Sequence, residues 1–173
     1  MARVNTVGSP EGAADLRAVF ARPHPLGALM LPKVESADEV LHVADLAEEA
    51  GRALELYPII ETTQALEAVR VIARAHARLT ALFFGGFDLS TALGCEMAWE
   101  PLLYARSRVV HAGASAGIEV LDSPFPDVAD LEGLARDCQR VRALGMAGKA
   151  AKHAIQVATI RAAFTRIANL KPG

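Results

Sequence analysis

The sequence has 173 residues, 52% of them hydrophobic and 22% charged, which is enough apolar material for one sizeable core and, by length, a single domain over 1–173. Eighteen Lys and Arg against 20 Asp and Glu leave a formal net charge of −2 with no run of like charge, so nothing points to a nucleic-acid or polyanion partner and a small ligand is expected. Cys95 and Cys138 lie far apart without metal-ligand spacing, the start "MARVNTVGSPEG" lacks the apolar stretch of a signal peptide, and no run reaches the roughly 18 apolar residues of a membrane span; a cytoplasmic protein with inert buried thiols and no membrane partner is expected.

In chain order, "ARVN" carries Arg3 and Asn5 at the end of a first short strand, and Ser9 followed by Pro10 opens a helix. "GALMLPKV" (27–34) reads as a buried strand, and Ser36 with Glu39 three residues later forms a capping box for a helix that stops at Gly51. "LELYPIIE" (54–61) and "LTALFFGGFD" (79–88) are further apolar runs of strand type. Trp99, Tyr104 and the leucines around them read as the core face of one helix. "GIEVLD" (117–122) is another strand, Asp127 opens a later helix that ends at Gly145, and Lys149 follows in "MAGKAAKH". Strands alternating with helices over short connections predict a parallel sheet covered by helices. Either a doubly wound open sheet or a (β/α)8 barrel satisfies this order, and at about 31 residues per barrel unit the chain holds between five and six units.

In both architectures the ligand site lies beyond the carboxyl ends of the strands, and nearly every strand here ends in a charge: Arg3, Lys33 with Glu35, Glu61, Asp88, Asp122 and Lys149. If the strands carrying Glu61 and Asp88 are neighbours, their backbones are about 4.8 Å apart and the two carboxylates can converge. Two adjacent carboxylates call for a cation, and an oxygen-only donor set completed by water and substrate suits Mg2+ better than Zn2+. The competing reading makes Glu61 and Asp88 caps of the helices that follow them. His24, His42, His76 and His111 show no mutual ligand spacing and read as surface or packing residues. Glu35 precedes the capping box and reads as part of a helix start.

The stretches "RVN", "LMLPKVESADEV", "IIETTQAL", "FFGGFDLS", "LLYARSRVVHAGASAGIEVLD", "DLEGLARDCQRVRALGMAGK" and "HAIQV" together resemble the citrate lyase beta subunit group of the HpcH/HpaI aldolase superfamily, from Arg3 to about Phe164. The resemblance implies a TIM-type (β/α)8 barrel. It also implies Mg2+, or Mn2+ in its place, held by the glutamate of "IET", here Glu61, and the aspartate of the "G-x-x-D-L" motif, here Asp88. Arg3 is then the active-site arginine that meets the substrate's carboxylate or oxyanion; from their own chemistry and place, Gly85 and Gly86 let backbone and substrate approach closely, and Asp122, at a strand end, is read as a further substrate-binding residue. The implied chemistry is carbon-carbon lyase or aldolase cleavage of a small acyl-CoA (citryl-, malyl- or citramalyl-CoA) or a 2-oxo acid, with CoA as part of the substrate. The alternatives are a thioester hydrolase on the same site and a non-catalytic barrel fragment acting through association.

Members of this family usually begin with two further β/α units, and this chain opens almost on the third strand. A partial barrel lacking its first two units is therefore expected, with exposed strand edges and a homo-oligomer, or association with other lyase subunits, to cover them. The family's "G-K-W-x-I-H-P-x-Q" stretch is altered to "GKAAKHAIQ", which keeps Gly148, Lys149, His153 and Gln156.

Overall fold

The computed structural model describes residues 1–22 and 26–165; His24 lies outside them. Six strands form one parallel sheet: β1 (Ala2–Arg3), β2 (Ala28–Leu31), β3 (Glu55–Ile60), β4 (Ala81–Phe84), β5 (Glu119–Asp122) and β6 (Gly148–Lys149). They are hydrogen-bonded in the order β1-β2-β3-β4-β5-β6. A doubly wound sheet reverses its strand order at a switch point; here the order never reverses, so the sheet curls in one direction as a half-barrel. The helices α1 (Pro10–Ala21), α2 (Ala37–Glu49), α3 (Thr63–Ile72), α5 (Trp99–Ala116) and α6 (Leu131–Leu144) make the crossovers.

The strands are short and apolar because both faces are covered. All four residues of β4 are buried, as parallel strands between a helical layer and a barrel interior require. Leu29, Leu31, Leu56, Ile60, Leu82 and Phe84 form the centre of the core, with Val40, Val43, Leu102 and Val109 from the helices packed against them. A second, smaller cluster of Leu134, Cys138 and Ile160 joins α6 to α7 (Val157–Phe164).

Helix starts follow the expected chemistry. Ser9 Oγ accepts from Gly12 N with Pro10 in the first turn of α1, Ser36 and Glu39 form a complete capping box on α2, and Gly51 takes φ +62° beyond its end, a conformation that favours glycine. Gly145, with φ +106°, ends α6 as expected.

Three expectations are corrected. The apolar run 79–88 is not one strand: β4 stops at Phe84, and Gly86–Leu93 is a short helix, α4, that carries Asp88 in its first turn. Asp127 does not open α6; Asp130 does, accepting from Gly133 N, while Asp127 Oδ1 accepts from Ala129 N and Asp130 N in the preceding turn. Tyr104 is no core residue but 67% exposed, hydrogen-bonded to Arg108 on the outer face of α5, although Leu102 of the same helix is fully buried. Tyr104 and Leu102 are two positions apart, and on a helix such residues face different ways.

Candidate metal and substrate site

Glu61 is the first residue beyond β3 and is 7% exposed. Its Oε1 accepts the backbone N–H of Lys33 at 2.9 Å. Lys33 is held there at φ +51°, the one non-glycine residue among those described with a left-handed backbone. Single-residue αL excursions by ordinary side chains are unfavourable and gather at sites where the surroundings over-determine them. The β2–α2 connection is thus bent to present an N–H to the Glu61 carboxylate.

The ladder carries the site across to β4. Ile60 pairs with Phe84, and Gly85 N donates to Ile60 O at 3.0 Å, so Glu61 and Gly85 stand opposite each other. An ideal Cβ on Gly85 would fall 2.4 Å from Glu61 Cβ and 2.9 Å from its Oε2; only glycine leaves room for the carboxylate. Gly85 is also the N-cap of α4 and no side chain caps that helix, so its first N–H groups and the positive end of its dipole face the same space. Asp88 stands in this first turn and is exposed. Burial, reinforced by hydrogen bonding to Asp88 and by its charge, pushes the Glu61 carboxyl up to about 7, against the pull of the Lys33 N–H and ammonium.

The structure therefore brings together Glu61, Asp88, Gly85 and Lys33. Among the described residues no group of three or more His, Cys, Asp and Glu could hold a metal ion, so any cation here would have two protein carboxylates. That donor set fits Mg2+, which keeps several waters and takes one or two carboxylates, and does not fit the closed three- or four-ligand sites of zinc.

Of the other sequence candidates, Arg3 stands at the sheet edge and Asp122 in a buried ion-pair network. Arg3 pairs with Met30 at the end of β1, the edge of the sheet, and its side chain is exposed. Asp122 has its carboxylate in ion pairs with Arg106 and Lys149. It is fully buried and held by Arg106 Nε at 3.4 Å and by Lys149 Nζ, which also reaches Asp137 at 2.7 Å. Arg106 in turn lies over the rings of Phe84 and Trp99, at 4.9 and 5.1 Å. This buried network ties β5 and β6 to α5 and α6. His153 is exposed and caps the short helical turn Ala154–Gln156, its Nδ1 accepting from Ile155 N. His42 and His111 are exposed and His76 pairs with Glu48. Lys33 and Arg106 have roles that no motif announced; an isolated lysine after a proline and an arginine inside a helix carry no distinguishing spacing.

A parallel half-barrel with two carboxylates just beyond the carboxyl ends of its strands places the chain among the β/α-barrel proteins. The particular family follows from comparison: the chain matches HpcH/HpaI aldolase/citrate lyase over residues 1–154 and belongs to that family. It is 32% identical over 180 residues to the mitochondrial citramalyl-CoA lyase of Rattus norvegicus, covering 94% of this chain and 53% of that one. The crystal structure of RipC from Yersinia pestis superposes with a TM-score of 0.92 at 38% identity, over 96% of this chain and 77% of that one. The CitE protein of Mycobacterium tuberculosis, solved with magnesium, acetoacetate and coenzyme A, superposes with a TM-score of 0.81 at 26% identity, over 95% of this chain and 60% of that one. The chain spans about half the length of the curated relatives it matches.

Proposed function

We propose that this chain provides the site of a Mg2+-dependent carbon-carbon lyase acting on a small 3-hydroxyacyl-CoA thioester of the citramalyl- or malyl-CoA type. The observation that carries the reading is the convergence of Glu61 and Asp88 over a side-chain-free Gly85, on the barrel of a family whose relatives include a citramalyl-CoA lyase and a structure holding magnesium and coenzyme A. Glu61 and Asp88 would hold Mg2+, or Mn2+ in its place. The ion supplies Lewis-acid polarisation of the oxygens of the 2-oxo acid half and a template for its orientation.

The chain's own groups do the remainder. The Lys33 N–H fixes Oε1 of Glu61 and leaves Oε2, on the Gly85 side, as the oxygen that would take a cation. Gly85 and Gly86 let the substrate rest on backbone, and the uncapped start of α4 offers N–H groups to a carboxylate. Arg3 would orient a substrate carboxylate or oxyanion with its planar fork, reaching it by its side chain from the sheet edge. In the cleavage direction the bond between the second and third carbons of the thioester breaks. The 3-hydroxyl gives up its proton and becomes the carbonyl of the 2-oxo acid, and the bonding pair passes to the thioester enolate, which takes up a proton to leave acyl-CoA.

The six strands are read as six units of an eight-unit barrel, with two further units supplied from outside these residues. Their edges favour a homo-oligomer or association with other lyase subunits. The separated thiols Cys95 and Cys138, the latter pushed up to about 11 by burial, suit a reducing compartment such as the cytoplasm.

Incubation of the purified protein with Mg2+ and citramalyl-CoA, with products separated by chromatography, tests the reading. Acetyl-CoA and pyruvate appearing together, and lost on chelation, are expected. Free CoA with intact citramalate would identify a thioester hydrolase instead, and no turnover of citramalyl- or malyl-CoA would leave association as the chain's role.

A further inference from the structure

Ser123 follows directly on β5 and is 2% exposed, yet among the described residues its Oγ has no hydrogen-bond partner. Leaving a buried hydroxyl unpaired costs about 1–3 kcal/mol, so a serine here needs a reason that the folded chain alone does not supply.

Register gives its position. Ile60 pairs with Phe84 and Phe83 with Leu121; continued past the strand ends, these pairings set Glu61, Gly85 and Ser123 on one row across β3, β4 and β5. Residues on one row point to the same side of a sheet, and two strand spacings put the Glu61 and Ser123 backbones about 10 Å apart. Asp122, one residue earlier, points the opposite way, into the helical layer, where Arg106 and Lys149 hold it. The ion pairs that bury Asp122 thereby fix the backbone that aims Ser123.

Between Glu61 and Ser123 lie two glycines. An ideal Cβ on Gly85 would be 2.9 Å from Glu61 Oε2, and one on Gly86 would be 3.0 Å from Ser123 Oγ. The same spot over Gly86 is 3.0 Å from Met97 Sδ and 2.8 Å from its Cε. A carboxylate and a hydroxyl thus flank a floor of bare backbone, roofed on the Ser123 side by one thioether chain. Met97 is half-buried and lines a cavity of about 400 Å³ that opens beside Trp99 and Phe125. Methionine is unbranched and readily changes rotamer, so this roof is the part that can yield.

We infer that Ser123 is a substrate-binding residue: its hydroxyl donates a hydrogen bond to a carboxylate or carbonyl oxygen of a 2-oxo acid seated over Gly85 and Gly86, with Met97 turned aside. The inference rests on the lyase reading above and extends it to the residue that recognises the oxo-acid half.

The test is calorimetric titration of pyruvate into the Mg2+-loaded protein, with Mg2+ titrations and metal-free melting curves alongside. In Ser123→Ala, pyruvate affinity is expected to fall roughly tenfold, the loss of one hydrogen bond at about 1.4 kcal/mol per tenfold. Mg2+ affinity without pyruvate should match the parent, and the melting temperature should hold or rise because an unpaired buried hydroxyl has gone. Ser123→Gly serves the same comparison if the alanine variant folds poorly. Pyruvate binding as tight as in the parent would overturn the assignment and leave the lyase reading standing. So would a fall in melting temperature and Mg2+ affinity together, which would make the hydroxyl a structural one. A parent that binds Mg2+ but no pyruvate overturns both.

Discussion

Glu61 shares its pocket with a second carboxylate and has only one backbone N–H and one nearby ammonium to offset burial. Its pKa in the metal-free protein is raised from about 4.5 to about 7. A carboxyl raised in the folded state stabilises the fold below its unfolded pKa and loses that contribution as pH climbs through the folded value. Metal-free protein should therefore melt at progressively lower temperature between pH 4.5 and 7, and Glu61→Gln should flatten that slope. Calorimetric melting across this range in the presence of a chelator checks it; identical pH profiles would mean that Glu61 is charged without its cation. Mg2+ must displace the same proton, so its affinity should climb over the same interval.

Gly85 gives a prediction of a different kind at the same scale. A methyl group there meets Glu61 Cβ at 2.4 Å, an atom fixed to the backbone, so one of the two chains must shift. Gly85→Ala should cost roughly 1–3 kcal/mol and weaken Mg2+ binding, whereas Gly8→Ala, with nothing within 4 Å of its added carbon, should change stability by less than about 0.5 kcal/mol. Urea denaturation of the two variants separates a crowding effect from a general loss of glycine.

Among the elements, β5 depends most on charge. Asp122 is fully buried against Arg106 and Lys149, and Lys149 is itself 2% exposed. Removing one partner leaves the others uncompensated in a medium that does not solvate them. Asp122→Asn should destabilise the protein by about 3–5 kcal/mol, while variant that remains folded should still bind Mg2+, because Asp122 faces away from Glu61. Denaturation and metal titration on the same sample read both halves.

β5 also shows what a sequence can convey. Its apolar alternation and its terminal aspartate were visible, but a charge at a strand end looks the same whether it faces ligand or helix. Only the one-residue difference in register separates Glu61, which faces the site, from Asp122, which does not. That Glu61 and Asp88 come close together was legible, because each follows an apolar run of strand type and the two strands are neighbours. That Asp88 rides on a helix was not, because "FFGG" carries no helix-start side chain: the N-cap is a glycine without a capping hydrogen bond. Lys33 was legible as a charge at a strand end and not as a backbone donor, since a positive φ at lysine has no sequence signature.

At the scale of the whole molecule, β1 pairs only with β2 and β6 only with β5 among the described residues. Unpaired edges of a parallel sheet invite further pairing, and a barrel abolishes edges only on closure. The 173-residue chain produced alone should sediment as an assembly or melt at low temperature. A compact, heat-resistant monomer in the ultracentrifuge would show that six strands suffice.

The account turns on whether Glu61 and Asp88 hold one ion. Calorimetric titration of Mg2+ together with pyruvate into the parent, Glu61→Gln, Asp88→Asn and the double variant tests this most directly. Binding in the parent, a loss of at least about tenfold in each single variant, and a double variant little weaker than the worse single one are predicted, since ligands of one ion do not act additively. Single variants that bind Mg2+ like the parent, and that melt lower than it without metal, would make both residues structural and contradict the account.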